Sequence, residues 1–371
     1  MSSAPAPTTA PAAATGTGAT AGTRLVRLAV LAIGAVLLFA PFLFQDVRAL
    51  EVAARICIFI VLVASYDLLI GYTGIVSFAH TMFFGFGAYG VALALRATGP
   101  GWDGVILGAA AGIGVSLVVA TAIGLLSLRV KAIFFAMITL AAASVVLVLA
   151  SQLSDLTGGE DGVTFRTPDL FKTATKLLVD ENNKVVRVFG VKLNGKLAAY
   201  YFVFLSALVL FLFMLRLVGS PLGTVLKSIR ENEIRAEAIG YRVVAYRTFV
   251  FCVAATIASL AGSIYAVWLK YVGPDTALSF TIMIDVLLMV VIGGMGTLWG
   301  AVIGAVLMVM AQYYLRDLMG AAAEATAALP LLPDILNPDR WLFWLGIIFI
   351  LLVYFFPAGI AGTIMRRGGT R

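Results

Sequence analysis

The feature that most constrains this chain is a series of apolar runs, each about 20 residues long, separated by short polar segments. A helix rises about 1.5 Å per residue, so each run is long enough to cross the roughly 30 Å hydrocarbon layer of a bilayer. Composition agrees, because 61% of the 371 residues are hydrophobic and only 12% are charged, about half the charged share of a typical soluble protein. The sequence therefore predicts an all-α polytopic integral membrane protein and excludes soluble, disordered and fibrous classes.

Ten runs meet the length requirement and predict about ten transmembrane helices. Two pairs of runs join through glycine-rich junctions at 71–74 and 293–296, where the apolar pattern does not define a boundary. The ten runs are approximately 25–44, 51–70, 74–95, 104–126, 132–152, 198–217, 246–269, 280–294, 297–315 and 341–357.

The two ends of the chain differ from the spans. Residues 1–23 carry no charge and are rich in Ala, Pro, Thr and Gly, which predicts a disordered tail. One transmembrane domain follows over 24–357, and residues 358–371 form a short C-terminal tail. The two longest polar interruptions of the domain are the loops 153–197 and 218–245.

Positive charge predicts the side of the membrane on which each loop lies. Lys and Arg concentrate in cytoplasmic loops, and ten alternating crossings bring every basic cluster to one side. We therefore expect both termini in the cytoplasm and loop 153–197 outside, with a small hairpin formed by two β-prone runs in 177–188. The clusters are Arg24 and Arg27, then Arg129 and Lys131, then six basic residues between 216 and 247, and finally Arg366, Arg367 and Arg371.

Glycines spaced four residues apart predict close helix packing. Three glycines at this spacing place positions without a Cβ along one helix face, which lets a neighbouring helix approach closely. The alternative is the general enrichment of glycine in membrane helices. The two predicted packing faces are Gly104, Gly108 and Gly112, and Gly296, Gly300 and Gly304.

The segment 71–90 places glycines and small polar residues inside an apolar run. Interrupted helices of this kind occur at membrane depth where they line an enclosed cavity, and a charge inside a span indicates function. Alternatives stay open, because His80 also fits a satisfied histidine in a kinked packing helix and Asp285 also fits pairing with another helix. The predicted solute-pathway residues are Gly74, Ser77, His80, Gly85, Gly87 and Asp285.

The sequence contains no set of residues that is typical of a catalytic or metal site. His80 is the sole histidine, and Cys57 and Cys252 lie far apart in apolar runs, so no metal site or disulfide is expected. The run 190–196 has phosphate-loop spacing, but Leu197 replaces the Ser or Thr that binds magnesium. The chain is therefore predicted to have no catalytic residues, no bound cofactor and no ATPase activity of its own.

The loop 218–245 predicts a helical unit over 221–240. Ser220 and Pro221 are a typical helix start, an apolar stripe follows at helical spacing, and alternating charges lead to Gly240. Such a unit without a local core docks on a partner more often than it remains a solvated loop helix, although the second reading stays open.

Several motifs together resemble the membrane subunits of bacterial ABC importers for branched-chain amino acids, the LivM-like permeases. The resemblance covers nearly everything after residue 50. The matching motifs are Ser220-Pro221-x-Gly223 with 229–241, Gly71-Tyr72-x-Gly74 with Ser77-x-x-His80 and 83–89, Phe134-Phe135-Ala136-Met137-x-Thr139-Leu140, 156–162, 285–297, and Phe355-Phe356-Pro357-x-Gly359.

This resemblance implies a permease subunit that translocates branched-chain or related amino acids across the bacterial inner membrane. It implies four kinds of partner besides the bilayer: two cytoplasmic ATPase subunits that hold ATP and Mg, a homologous second permease, and an external binding protein. No nucleic-acid partner is expected. The implied ATPase-coupling residues are Pro221, Gly223, Arg230, Glu231, Asn232, Glu233, Ala236, Glu237 and Gly240.

Three other functions remain open from the sequence. A urea or short-chain amide importer of the same family shares these motifs. An ion-driven secondary transporter would work without ATPase subunits and would have charges deep in several spans, which are scarce here. A structural or assembly protein would not need the docking helix.

Overall fold

The computed structural model describes residues 21–44, 46–127, 132–172, 175, 187–188, 191–192, 194–325 and 337–367. This part of the chain is almost entirely helical, with two very small sheets. Nine of its helices are long and apolar enough to cross a membrane. The prediction of an all-α, multi-pass membrane protein is confirmed.

Ten helices correspond to the predicted spans. Among them, α3 falls outside the nine because its glycines, His80 and Arg96 lower its mean hydropathy. The spanning helices are α1 (Ala21–Leu43), α2 (Val47–Ile70), α3 (His80–Thr98), α4 (Trp102–Ser127), α5 (Ala132–Gln152), α7 (Gly195–Val218), α10 (Val243–Leu269), α12 (Phe280–Gly293), α13 (Leu298–Ala325) and α14 (Trp341–Phe355). Shorter helices are α6 (Ser154–Thr157), α8 (Pro221–Glu231), α9 (Glu233–Ala238), α11 (Pro274–Ala277) and α15 (Gly359–Arg367).

Helices α2, α3 and α10 form the centre of the bundle. Almost every residue of α2 from Val52 to Leu69 is buried, and α2 contacts α7, α10, α12 and α13. Peripheral helices α4, α5 and α14 instead expose large apolar side chains such as Val118 and Phe343. Exposed apolar side chains around a buried centre are what a bundle surrounded by lipid tails requires.

Glycine packing is confirmed for α4 and in part for α13. A Cβ on Gly112 would lie 2.7 Å from the Phe86 carbonyl oxygen of α3, and Gly108 packs against Gly90. On α13, Gly304 packs in the same way against Met289 of α12. The inclusion of Gly296 in this face is wrong, because Gly296 lies before α13 with φ +82°.

The predicted third span, 74–95, begins too early. Residues 71–79 form a turn and an irregular segment, and α3 starts only at His80. His80 Nε2 lies 2.7 Å from Ser65 Oγ, more than one helical turn before the end of α2. The segment therefore folds back into the bundle, and its backbone groups find partners there, as when the Phe78 N–H donates to Thr139 Oγ1 at 3.1 Å.

The two ends of the described chain meet on one side of the bundle. α1 begins at Ala21, inside the segment 1–23 for which disorder was expected, while residues 1–20 lie outside the described residues. The predicted C-terminal tail contains α15, whose Ile364 carbonyl packs against Gly22. Both ends on one side agree with an even number of crossings; which side is cytoplasmic stays a prediction.

Loop 153–197 contains a small hairpin, but it lies at 187–192 and not between the two runs predicted within 177–188. Strands β2 (Arg187–Val188) and β3 (Val191–Lys192) pair antiparallel, whereas the expected runs at 177–186 lie outside the described residues. Earlier in the loop, β1 (Val163–Thr164) pairs with β4 (Tyr271–Val272). That pairing ties the loop to the end of α10.

Candidate functional site

The loop 218–245 folds as two helices rather than one. α8 ends at Glu231, and Asn232 adopts an extended backbone (φ −158°, ψ 102°) that breaks the helical unit predicted over 221–240. The Asn232 side chain accepts a hydrogen bond from the Arg235 N–H at 2.9 Å, so it caps the start of α9. Pro221 occupies the first turn of α8, as the sequence indicates.

The apolar stripe of α8 is buried against this chain itself. Leu226 and Ile229 are each 1% exposed, and Ile229 packs with Ala236 of α9 and Val243 of α10 in a small apolar cluster. Gly223 sits against the Val218 carbonyl, where a Cβ would overlap it. The expectation that the stripe lacks a local core is therefore wrong, because α9 and the start of α10 provide one.

The face that remains available on the helix pair belongs mainly to α9. Ile234 is 80% exposed and Ile239 is 70% exposed. Charged Glu231, Glu233 and Glu237 surround them and are also exposed, with Glu233 paired to Arg247 at 2.7 Å; Gly240 ends the unit at φ +102° in open space. Two large apolar side chains with a charged rim are typical of a protein-docking surface.

Arg230 connects the helix pair to the bundle. Its Nη1 donates a hydrogen bond to the Gly71 carbonyl just beyond α2. A Cβ on Gly296, just before α13, would lie 2.8 Å from the same nitrogen. We call this meeting point of α8, the end of α2 and the α12–α13 loop the Arg230 junction.

Asp67 completes the Arg230 junction from inside α2. It is 1% exposed, its Oδ1 accepts from the Gly296 N–H at 2.8 Å, and it interacts electrostatically with Arg230. Nearby, Lys227 Nζ lies 5.5 Å from the centre of the Tyr72 ring, and burial raises the pKa of Tyr72, with the Asp67 charge adding to the shift. A displacement of α8 would therefore be transmitted to the segment after α2 and to the α12–α13 loop through charge-assisted contacts.

The predicted pathway residues near α3 lie in different surroundings. Gly74 is exposed, has φ +72° and stands beside the Arg230 side chain. Ser77 is buried, and its hydroxyl accepts from the Ala79 N–H at 3.3 Å. His80 is buried against Tyr66, with ring centres 5.3 Å apart. Each has a local structural explanation.

The other three predicted pathway residues lie in further, separate parts of the bundle. Gly85 packs on Leu278, and Gly87 packs on the Ser259 backbone. Asp285 accepts from Gln312 Nε2 at 2.8 Å and interacts electrostatically with Arg55. Gly74 lies beside Arg230, which interacts with Asp67. Asp67 and Arg55 are 12 residues apart on α2, or about 18 Å along the helix. The structure does not bring the six residues together, and their pathway role stays a prediction.

The sequence analysis missed Arg55. It lies inside the second apolar run, so the rule that drew attention to Asp285 would also have found it. Among the described residues, no group of three or more His, Cys, Asp or Glu side chains could hold a metal ion.

A family model matches most of the chain. It is described as branched-chain amino acid transport system / permease component, and it aligns with residues 48–356. The chain belongs to this family. This membership agrees with the resemblance inferred from the motifs and makes the chain a transporter subunit rather than an enzyme.

Three curated relatives of this permease family have similar sequences. The high-affinity branched-chain amino acid transport system permease protein LivM of Salmonella typhimurium is 29% identical over 307 residues, or 81% of this chain and 70% of the relative. The protein of the same name from Escherichia coli is 28% identical, over 79% and 68%. A probable branched-chain amino acid transport permease protein LivM of Methanocaldococcus jannaschii is 24% identical, over 63% and 61%. No solved structure matches the chain.

Proposed function

We propose that this chain is the permease subunit of an ATP-binding cassette importer that carries branched-chain or related amino acids across the bacterial inner membrane. The observation that carries the proposal is the α8–α9 pair, which is fixed to the bundle on one face and offers Ile234 and Ile239 to solvent on the other. The family and the names of the relatives support the substrate class.

The partners supply what this chain lacks. Two cytoplasmic ATPase subunits bind ATP and Mg, a homologous second permease completes the membrane pore, and an external binding protein delivers the solute. This chain contributes spanning helices and one docking surface, and it holds no cofactor. ATP and solute bias the transporter only through their different affinities for its inward-open and outward-open states.

The orientation follows from the same arrangement. α8 and α9 would face the cytoplasm, together with both ends of the chain. Arg24 and Arg27 at the start of α1 lie on the side where α15 and the Arg230 junction meet, and a basic side is expected to face the cytoplasm. ATPase closure would push on α9, and the shared cluster of Ile229, Ala236 and Val243 would move α8 with it.

A charge reversal on α9 tests the proposed coupling. Glu237→Arg changes an exposed residue beside Ile234 without touching the buried cluster. In the complete importer, we expect the ATPase activity stimulated by the loaded binding protein to fall at least about tenfold, because like charges at a docking rim cost several kcal/mol. The ATPase subunits should also co-purify less with the variant.

The matched control is Glu160→Arg, an exposed glutamate in the loop tied to the far end of α10. It carries the same charge change away from the docking surface and should retain normal stimulation and co-purification. Both variants should insert in the membrane at the normal level. Equal activities in the two variants would contradict the assignment of α9 as the coupling element.

A further inference from the structure

A cavity of about 320 Å³ lies at the end of the bundle opposite the Arg230 junction. Its volume is at the lower end of the range for small-molecule sites, roughly 300–1,000 Å³. Its wall contains three basic side chains and one acidic one among aromatic rings, so it differs from a lipid-facing groove. We call it the Arg55 cavity; its charged wall residues are Glu51, Arg55, Lys196 and Lys270.

Arg55 is a half-buried cation whose direct contacts are with neutral groups, and its interaction with the Asp285 charge is electrostatic without a close ion pair. Its Nη1 donates to the Tyr313 hydroxyl at 3.0 Å, and its guanidinium lies 5.2 Å from the Phe59 ring centre and 5.5 Å from the Tyr313 ring centre. Within the described part of the chain, no ion pair includes Arg55, and its Nε is buried without a hydrogen-bond partner. A guanidinium held this way in a membrane helix is matched to a carboxylate that can accept from two of its nitrogens.

Lys270 adds a second positive charge to the Arg55 cavity. It has a left-handed backbone, with φ +62°, the sole positive φ of a non-glycine residue in the described part of the chain. Lys270 is the C-cap of α10, and a left-handed residue is a common way for a helix to end, although glycine is the usual residue there. Its Nζ donates to the Phe171 carbonyl at 3.1 Å, and burial lowers the pKa of Lys270, with Lys196 adding to the effect.

The remaining walls suit the other parts of an amino acid. Glu51 Oε1 lies 3.4 Å from Lys196 Nζ, which makes a long and partly exposed ion pair. An incoming ammonium group could join this pair by binding to the Glu51 carboxylate. The rings of Tyr265 and Trp268 provide an apolar wall. A carboxylate, an ammonium group and an apolar side chain therefore each have a counterpart within one small volume.

We propose that the Arg55 cavity binds a free amino acid as a zwitterion, with its α-carboxylate on Arg55, its ammonium group on Glu51 and its side chain against Trp268. This inference rests on the proposed function and names the chemical group that the permease itself recognises. Urea has no carboxylate, so the cavity selects against it. α2 joins the cavity to the Arg230 junction, since Arg55 and Asp67 lie on the same helix.

Binding is measured on the complete transporter in lipid nanodiscs without its external binding protein, so that the binding protein cannot select the ligand. The probe is radiolabelled leucine, displaced by 4-methylpentanoate, leucinamide or urea. In the unchanged protein, we expect 4-methylpentanoate to compete better than leucinamide, and urea to have no effect. Arg55→Gln should weaken leucine binding at least about tenfold and abolish the preference for a carboxylate, because a charge-assisted hydrogen bond is lost.

Two further variants separate binding from folding. Arg55→Lys keeps the charge but not the planar fork, so it should retain the carboxylate preference at lower affinity. Arg316→Gln removes an exposed arginine that pairs with Asp339, one turn beyond Tyr313, and should leave leucine binding unchanged.

Equal leucine affinity and equal carboxylate preference in the Arg55→Gln and Arg316→Gln variants would overturn the inference. It would also be overturned if the unchanged transporter bound no leucine while the loaded binding protein still stimulated its ATPase, and the proposed function would then stand. If the leucine-loaded binding protein did not stimulate the ATPase of the unchanged importer, the proposed function itself would be contradicted.

Discussion

At the scale of single residues, two charged side chains on α2 differ in how they are paired within the chain. Asp67 and Arg55 lie in the most buried helix of the bundle, where an unsatisfied charge is costly. Asp67 Oδ1 accepts from the Gly296 N–H and the carboxylate interacts with the charge on Arg230, whereas its Oδ2 is buried without a hydrogen-bond partner. Arg55 donates to the neutral Tyr313 and interacts with the Asp285 charge, but no ion pair of the described residues includes it, which leaves it suited to an external anion.

Arg230→Gln tests the residue-scale link between α8 and the bundle. The change removes the charge that interacts with Asp67 and the guanidinium that donates to the Gly71 carbonyl. We expect the ATPase subunits still to bind, because α9 is unchanged, while leucine uptake per ATP hydrolysed falls about fivefold or more, the lower range of typical coupling energies. Uptake and ATP hydrolysis are measured together in proteoliposomes.

The control for this prediction is Arg216→Gln, which removes an exposed arginine from the last turn of α7 on the same side of the bundle. Its ratio of uptake to hydrolysis should match that of the unchanged protein. A normal ratio in the Arg230→Gln variant would mean that motion passes from α8 to the bundle by another route.

At the scale of elements, glycine contacts set the distances between helices. α4 lies close to α3 because Gly108 and Gly112 face the backbone at Gly90 and Phe86. On the same helix, a Cβ added at Gly114 would meet no atom within 4 Å. Spacing alone identified the packing face, but the prediction failed for the first residue of the second triplet, because Gly296 belongs to a turn instead of a helix.

Gly112→Ala and Gly114→Ala form a matched pair on α4. A methyl group at position 112 would lie 2.7 Å from the Phe86 carbonyl oxygen, so the helices must separate, and we expect the variant to lose about 1–3 kcal/mol of stability. At position 114, alanine should be neutral or stabilise by up to about 1 kcal/mol, because it favours the helix. Thermal unfolding of both variants in detergent gives the comparison, and equal midpoints would refute close packing at Gly112.

At the scale of the whole molecule, the Arg230 junction and the Arg55 cavity lie at opposite ends of α2. The first meets the proposed docking surface, and the second is a polar cavity. Because α2 is packed on nearly all sides, it behaves as a rigid element whose ends must move together. In this arrangement, a force on the docking surface would move α2 and alter the shape of the Arg55 cavity. No continuous chain of charged residues between the two sites would be needed.

The orientation of the whole molecule can be tested by labelling. In intact cells, we expect a membrane-impermeant maleimide to modify the Glu160→Cys variant, and to modify the Glu237→Cys variant only after the cells are permeabilised, because α9 faces the cytoplasm in the proposed orientation. Cys57 is buried and Cys252 is half-buried, so the unchanged protein serves as the background control. The reverse labelling pattern would invert the proposed topology.

Much of the fold was predictable because lipid imposes a simple length rule. Runs of about 20 apolar residues located the spans, and charge marked the loops. The start of α3 was not predictable, because residues 71–79 are as apolar as a helix and leave helical geometry only through contacts such as Phe78 with Thr139. The break at Asn232 was missed because its capping bond to Arg235 competes with continuation of the helix.

The sequence by itself determined the membrane class, the number of spans to within one, the family and the presence of helical structure in the loop 218–245. These properties depend on local composition and spacing. Only the tertiary structure decided that α8 turns its apolar stripe toward its own chain, that Arg230 meets Gly71 and Gly296, and that Arg55 lies in a cavity with Lys270. Arg230 and Gly71 are 159 positions apart in the chain, and no local pattern encodes which helix faces will meet once the bundle packs.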